Sequence, residues 1–312
     1  MQIDDCSFNP QTRVLFVVAH PDDEVVGAGG SLLSRFHESR VVHVTDGAPA
    51  GMLDAHRNGF ASRHDYAQAR RQEALAALAL AGIKEDRVTE LGVTDQQSAY
   101  QLVNITSELA GLFAQLKPEI VITQPYEGGH PDHDATAFAV HHARRLLDEK
   151  ATAPDVFEMT SYHERDECVV YSEFLPCEGR TPVTVVLTDE QKTLKRSMFD
   201  CFQTQREVLR WFPIAVERFR SAPAYDFRCA PHAGKLHYEH FDWGMTGPEW
   251  LQLARQALGV LAQGGIHDAR SFERGVSAGA GGTGRNGRSR TDPDSSRRRT
   301  RRGRTSLDRH RL

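Results

Sequence analysis

Two stretches of this sequence crowd imidazoles and carboxylates closely enough to do chemistry: His20-Pro21-Asp22-Asp23-Glu24 and Gly128-Gly129-His130-Pro131-Asp132-His133-Asp134. Each follows a short apolar run, Val14 to Ala19 in the first case and Ile120 to Thr123 in the second. Two imidazoles and one carboxylate suit a catalytic zinc site, where three protein ligands leave one position for water. Such an ion lowers the pKa of its water to about 7 and polarises a carbonyl oxygen. A carboxylate left off the metal would take the water's proton, and a neighbouring imidazole would protonate a departing amine. Other readings compete. His-Pro-Asp-Asp is also ordinary turn and helix-cap chemistry. Asp22-Asp23-Glu24 could form a magnesium pocket for phosphoryl transfer, which leaves His20, His130 and His133 without a task. Gly27, Gly29 and Gly30 imitate a dinucleotide turn, but Leu32 stands where that pattern needs its third glycine.

The elements that must position these residues follow from the hydrophobic pattern. Short β-branched runs alternate with longer segments of helical period, which predicts an α/β domain with a mostly parallel sheet. Candidate strands are Arg13 to Ala19, Arg40 to Thr45, Arg87 to Leu91, Glu119 to Gln124 and Asp155 to Ser161, with Val169 to Leu175 and Pro182 to Leu187 as a later pair. Candidate helices are His64 to Ala81, Ser98 to Leu116, Asp132 to Leu147, Asp189 to Phe202 and Pro248 to Ala262. Ligands of open parallel sheets bind at the carboxyl ends of strands, where both motifs fall. Pro213 to Gly247 is dense in Pro, His and aromatic residues with little period, and reads as a long ordered loop.

The chain of 312 residues is long enough for a substantial core, and no apolar run approaches the roughly 20 residues that cross a bilayer. No membrane association is expected. Met1 to Pro10 has neither a basic nor an apolar signal region, so the cytoplasm is the expected location. Five scattered cysteines without a Cys-x-x-Cys pair argue against a zinc ribbon and a disulfide framework. Residues 275–312 carry eleven Arg against three Asp, while the rest of the chain is acidic, with a net charge of −12. That tail has almost no apolar residues and is expected to be disordered, a solvated extension whose truncation leaves the rest unaffected. The competing class is a non-catalytic protein that presents this Arg-rich tail to nucleic acid. The sequence leaves a homo-oligomer open.

Ala19-His20-Pro21-Asp22-Asp23-Glu24 together with Gly128-Gly129-His130-Pro131-Asp132-His133 resembles the PIG-L/LmbE-like zinc deacetylases, over roughly residues 1–260. The resemblance implies a Rossmann-like three-layer sandwich over residues 1–274 and hydrolysis of the acetamide of a small-molecule N-acetylglucosaminyl conjugate. It implies Zn2+ on His20, Asp23 and His133. Asp22 would be the general base, His130 the general acid and stabiliser of the oxyanion, and Asp132 a carboxylate that orients an imidazole. Arg70, in Arg70-Arg71-Gln72-Glu73, and Asp95 resemble the family's substrate contacts. One branch has a Tyr two residues before the acid His, where this chain has Gly128, with Tyr126 two residues further back. Lys195 to Gln205 resembles a family pattern but with Phe202 and Thr204 in place of Tyr and Ser, and no role is assigned to it. His237 and His240 are read as structural, and His141 and His142 as lying on a helix away from the ligands.

Overall fold

Along the first strand, Val14–Val18, every residue is buried, because helices cover both faces of the sheet and no side chain is left to water. Its alternation divides the interior. Val14, Phe16 and Val18 enter one core, and Leu15 and Val17 the other. The computed structural model describes residues 9–148 and 153–263. These contain strands β1 (Val14–Val18), β2 (Arg40–Pro49), β3 (Val88–Asp95), β4 (Ile120–Thr123), β5 (Asp155–Met159), β6 (Tyr162–Arg165), β7 (Cys168–Tyr171), β8 (Val183–Val186) and β9 (Val216–Ser221). The helices are α1 (Asp23–Ala28), α2 (Leu53–Arg57), α3 (Arg63–Leu80), α4 (Leu102–Leu116), α5 (Pro131–Asp148), α6 (Asp189–Phe199), α7 (Arg206–Leu209) and α8 (Gly247–Ala262).

The seven-stranded sheet runs β3-β2-β1-β4-β5-β9-β8. The first five strands are mutually parallel and the last two antiparallel. Residues of α1, α3 and α6 pack on one face and residues of α4 and α5 on the other, which makes the expected three-layer α/β sandwich. A third core joins α5 to α8 through Phe138, Phe227 and Trp250. Among the described residues no helix is long and apolar enough to cross a membrane. The Arg-rich tail expected to be disordered lies outside the described residues.

Asp23 opens α1. Two expectations need correction. The runs around Val169 and Pro182 do not pair with each other: β7 pairs with β6 in a separate two-stranded sheet, and β8 pairs with β9. The expected loop from Pro213 contains β9, an interior strand between β5 and β8. Its sequence, Val-Glu-Arg-Phe-Arg-Ser, conceals the strand, because buried Glu217 and Arg220 are neutralised by ion pairs that no local pattern reveals.

Candidate metal centre and its surroundings

β1 and β4 are neighbours in parallel register, from Val14 opposite Ile120 to Val17 opposite Thr123. The chain leaves β1 toward β2 and α1 on one side and leaves β4 toward α5 on the other, so the two motifs flank the point where strand order reverses. An open α/β sheet splits there into a crevice. Gln124 clamps the two strand ends, accepting the Ala19 N–H at 2.8 Å. The second motif must turn sharply before α5. Gly128 adopts φ +72°, and a Cβ on Gly129 would lie 2.1 Å from the Tyr162 carbonyl oxygen, so neither position tolerates a side chain. Asp134 steadies the turn by accepting the N–H groups of Glu127 and Gly128.

His20, Asp23 and His133 converge. His133 Nε2 lies 3.2 Å from His20 Nδ1 and 3.3 Å from Asp23 Oδ1, and His20 Nδ1 lies 3.2 Å from Asp23 Oδ2. Tetrahedral zinc with bonds near 2.0 to 2.1 Å separates its ligand atoms by about 3.3 to 3.4 Å, so the spacing fits such an ion. The outward nitrogens are also engaged. His20 Nε2 faces Asp95 Oδ1 at 3.1 Å and Asp132 Oδ2 at 3.4 Å, and His133 Nδ1 lies 3.4 Å from Ser161 Oγ. Carboxylate and hydroxyl partners of this kind fix the tautomer and orientation of metal-binding imidazoles. His130 is close enough to join these donors: the ligand atoms of His20, His130 and His133, and those of His20, Asp95, His130 and Asp132, form groups within 4.8 Å.

Asp132 is locked by the N–H groups of Gln96 and Ser98 at 2.5 and 3.0 Å. Gln96 takes a left-handed turn, φ 68°, at the end of β3, next to Asp95. Asp22 receives Arg70 Nη2 at 2.8 Å, and the same guanidinium donates to the Gly47 and Pro21 carbonyls. Arg70, expected as a substrate contact, holds Asp22. The Asp132 N–H donates to His130 Nδ1 at 3.1 Å, which puts the neutral ring's proton on Nε2. Nε2 faces Asp95 Oδ1 at 4.0 Å.

Burial shifts these groups, and their neighbours decide the direction. Burial pushes the Asp22 carboxyl up to about 7, against the opposing pull of Arg70. It likewise holds His130 well below the ordinary histidine range, reinforced by the charge of His20. For Asp23 burial is outweighed by His133 and His20, which hold the carboxylate well below its usual range. For His20 burial is outweighed by Asp95, with Asp132 and Asp23 adding to it, and the imidazole lies well above its usual range.

Other expected or doubtful residues lie apart. Tyr126 donates its hydroxyl to the Cys229 carbonyl at 2.9 Å, amid Phe227 and Trp250. His141 and His142 line a cavity of about 510 Å3 with Asp155, which starts β5 and so marks the opposite end of the sheet. His240 Nε2 meets Glu164 at 2.6 Å. His237 packs edge-on to Tyr162, which in turn packs edge-on to His133. Several residues around the site were assigned no role from the sequence. Lys195 donates to the Val26 carbonyl in α1 and to Glu217, and Glu217 also accepts the Gly30 N–H just beyond α1. Arg220 bridges Glu158 and Glu127, and Glu127 belongs to the second motif's turn. Trp243 packs against His130 at 4.6 Å.

Residues 15–144 match the model of the PIG-L family, described as GlcNAc-PI de-N-acetylase. Over these residues the chain is similar to the PIG-L family. It is 31% identical over 133 residues to a probable N-acetyl-alpha-D-glucosaminyl L-malate deacetylase 2 of Bacillus cereus, a match covering 42% of this chain and 60% of that protein. It is 29% identical over 139 residues to diacetylchitobiose deacetylase of Thermococcus kodakarensis, covering 42% of this chain and 48% of the relative. The chain therefore spans about half the length of the curated relatives it matches. Among solved structures, the A40926 pseudoaglycone deacetylase Dbv21 superposes with TM-score 0.52 at 22% identity, covering 69% of this chain and 99% of that one. The 4-carboxy-2-hydroxymuconate hydratase GalB of Pseudomonas putida superposes with TM-score 0.51 at 17% identity, covering 69% and 98%. A deacetylase and a hydratase share this fold, so the fold does not select the reaction.

Proposed function

We propose that this protein hydrolyses the acetamide of an N-acetylated amino sugar conjugate, an N-acetylglucosaminide, and releases acetate and a free amine. The observation that carries the reading is the convergence of His20, Asp23 and His133 at 3.2 to 3.3 Å beside an Asp22 held by Arg70. The names of the matched relatives support the acetamide of a glucosaminyl group as the scissile bond. Two imidazoles in the donor set favour zinc over magnesium, which takes oxygen ligands, and so speak against phosphoryl transfer.

His20, Asp23 and His133 would hold the ion. Bound there, zinc supplies Lewis-acid polarisation of the acyl oxygen and a water that ionises near neutral pH. Asp22 is the base, and its Oδ2 is fixed by Arg70 so that its other oxygen is free to take the water's proton. As the water oxygen bonds to the acyl carbon, negative charge grows on the acyl oxygen, and the Nε2–H of His130 donates to it. When the C–N bond breaks, the amine needs a proton. The Asp132 N–H on His130 Nδ1 disfavours an imidazolium, so we assign the return of that proton to Asp22 and the oxyanion contact to His130. Asp95 and Asp132 keep His20 oriented with Nδ1 toward the ion.

The test is a panel of N-acetylglucosaminides scored for acetate and free amine on protein of measured zinc content, with a 2-hydroxymuconate hydration assay alongside. Release of both products in equal amounts, abolished by chelation and restored by zinc, is the expected result. Hydration without deacetylation would overturn the proposal.

A further inference from the structure

At the end of the sheet opposite the metal centre, α5, the start of β5 and the chain that leaves β9 enclose a cavity of about 510 Å3. α5 sets the separation. His133 stands in its first turn, and His141, His142, Arg144 and Arg145 follow eight to twelve residues later, about 12 to 18 Å along a helix that rises 1.5 Å per residue. β5 and β9 are antiparallel, so the cavity collects Asp155 and Val156 from the start of one and Ser221 from the end of the other. Two hydrogen bonds fix this frame. Arg144 Nε donates to the Pro154 carbonyl at 2.9 Å, and the Ala222 N–H to the Val156 carbonyl at 3.0 Å.

We infer that this cavity is a second binding site, for a small organic anion that sets a phosphate or carboxylate group against its arginines. The charge of the lining runs against that of the chain. Residues 1–274 carry a net charge of −12, yet the cavity gathers Arg144, Arg145 and Arg180 against one acid, Asp155. Among the described residues no carboxylate lies within 4 Å of Arg145 or Arg180, so no ion pair neutralises either guanidinium. Glu158, 3.9 Å from His141 Nε2, is itself held by Arg220. An arginine in the last turn of a helix is the ordinary complement of the helix dipole, but Arg180 comes from a separate segment. The buried His142 at the wall is brought down to about 4 by burial, with Arg145 and His141 adding to it, so it stays uncharged at neutral pH and leaves the arginines as the cations. Guanidinium groups pair with phosphate and carboxylate through charge-assisted hydrogen bonds. The volume lies in the range of pockets that hold whole small molecules, and Val156, Ala222, Pro223 and Ala224 offer the ligand's body an apolar wall. This site is independent of the hydrolytic reading.

Calorimetry on the full chain with phenyl phosphate, benzoate, inorganic phosphate and benzyl alcohol tests this, comparing wild type with Arg145→Gln, Arg180→Gln, the double variant and His133→Ala. Phenyl phosphate and benzoate should each bind one per chain, and neutral benzyl alcohol should not bind. Inorganic phosphate should bind more weakly than phenyl phosphate, because it leaves the apolar wall uncovered. Arg145→Gln and Arg180→Gln should each weaken both organic anions roughly tenfold. Both side chains are exposed, so the melting temperature of each variant should stay at the wild-type value. His133→Ala should bind the anions as wild type does. Unchanged phenyl phosphate binding in the double variant would overturn the inference. Loss in His133→Ala would then place the anion at the metal centre, and retention there too would place it on the Arg-rich residues 275–312. No saturable binding of phenyl phosphate or benzoate by about 10 mM would also overturn it. So would benzyl alcohol or inorganic phosphate binding as tightly as phenyl phosphate.

Discussion

The rim above β1 and β4 and the antiparallel extension β9-β8 both bury charged groups, but they neutralise them differently. In the extension each buried charge has a partner. Lys195 and Glu217, both fully buried, meet at 2.7 Å, and Arg220 is held by Glu158 and Glu127 at 2.8 and 3.1 Å. At the rim no lysine or arginine lies among His20, His133 and Asp23, and the two imidazoles themselves face the carboxylate and each other. The ion pairs of the extension complete an architecture. The rim gathers nitrogen and oxygen donors that share protons among themselves and would give them up to a cation. If this contrast is sound, removing a charge at the rim should cost activity and spare the fold, and removing one in the extension should cost the fold first.

The largest expected effect is at the ligands. His133→Ala should lower zinc content, measured by atomic absorption, and reduce turnover to background. Its melting temperature without metal should equal or exceed that of wild type without metal. Marked destabilisation of the metal-free variant would mean the rim is as architectural as the extension. Next, Asp22→Asn keeps the shape but cannot take a proton, and turnover should drop by roughly 10² to 10⁴ with zinc retained. Zinc loss in this variant would make Asp22 a ligand and not the base.

On the other side of the comparison, Lys195→Met should destabilise by about 3 to 5 kcal/mol in denaturant unfolding, because it strands the fully buried Glu217. The double variant Lys195→Met/Glu217→Leu should recover much of that loss. Because the pair also holds α1, which carries Asp23, the single variant should bind zinc more weakly as well. A harmless Lys195→Met would erase the distinction between the two regions.

The smallest effect is in the pH dependence of stability. Burial first, then Arg145 and His141, bring His142 down to about 4, and burial and His240 do the same for His237. Between about 6.5 and 4 the unfolded chain binds protons on these two residues that the folded chain does not. Their contribution is complete above about 6.5 and is lost as pH falls toward 4. Melting temperature should therefore decline over that window, and His142→Gln should flatten the decline. Equal slopes in the variant and wild type would remove His142 from the account.

How much of this was legible depended on how local each signal is. The residues that follow the two apolar strands are contiguous in sequence, so the motifs marked the site by residue type and spacing alone. That the sheet is mostly parallel followed from short apolar runs alternating with helical segments, while the strand order did not. β9 stayed hidden because its charges are neutralised by partners as distant as Glu127, 93 positions away, and hydrophobic period cannot register a neutralised charge. That Arg70 holds Asp22 was not legible, because its sequence neighbours say nothing of a carboxylate 48 positions away.

The sequence by itself determined the donor types, their clustering at two strand ends and the class of sheet that carries them, since those depend on residue identity and short-range period. Only the tertiary structure decided which nitrogen of each imidazole faces inward, that Asp95 holds the outward nitrogen of His20, and that Trp243 stands beside His130. The reason is that orientation is set by contacts between segments distant along the chain. Folding brings Asp95 to 3.1 Å from a ring 75 positions earlier and the indole to 4.6 Å from His130, and no local pattern encodes either distance.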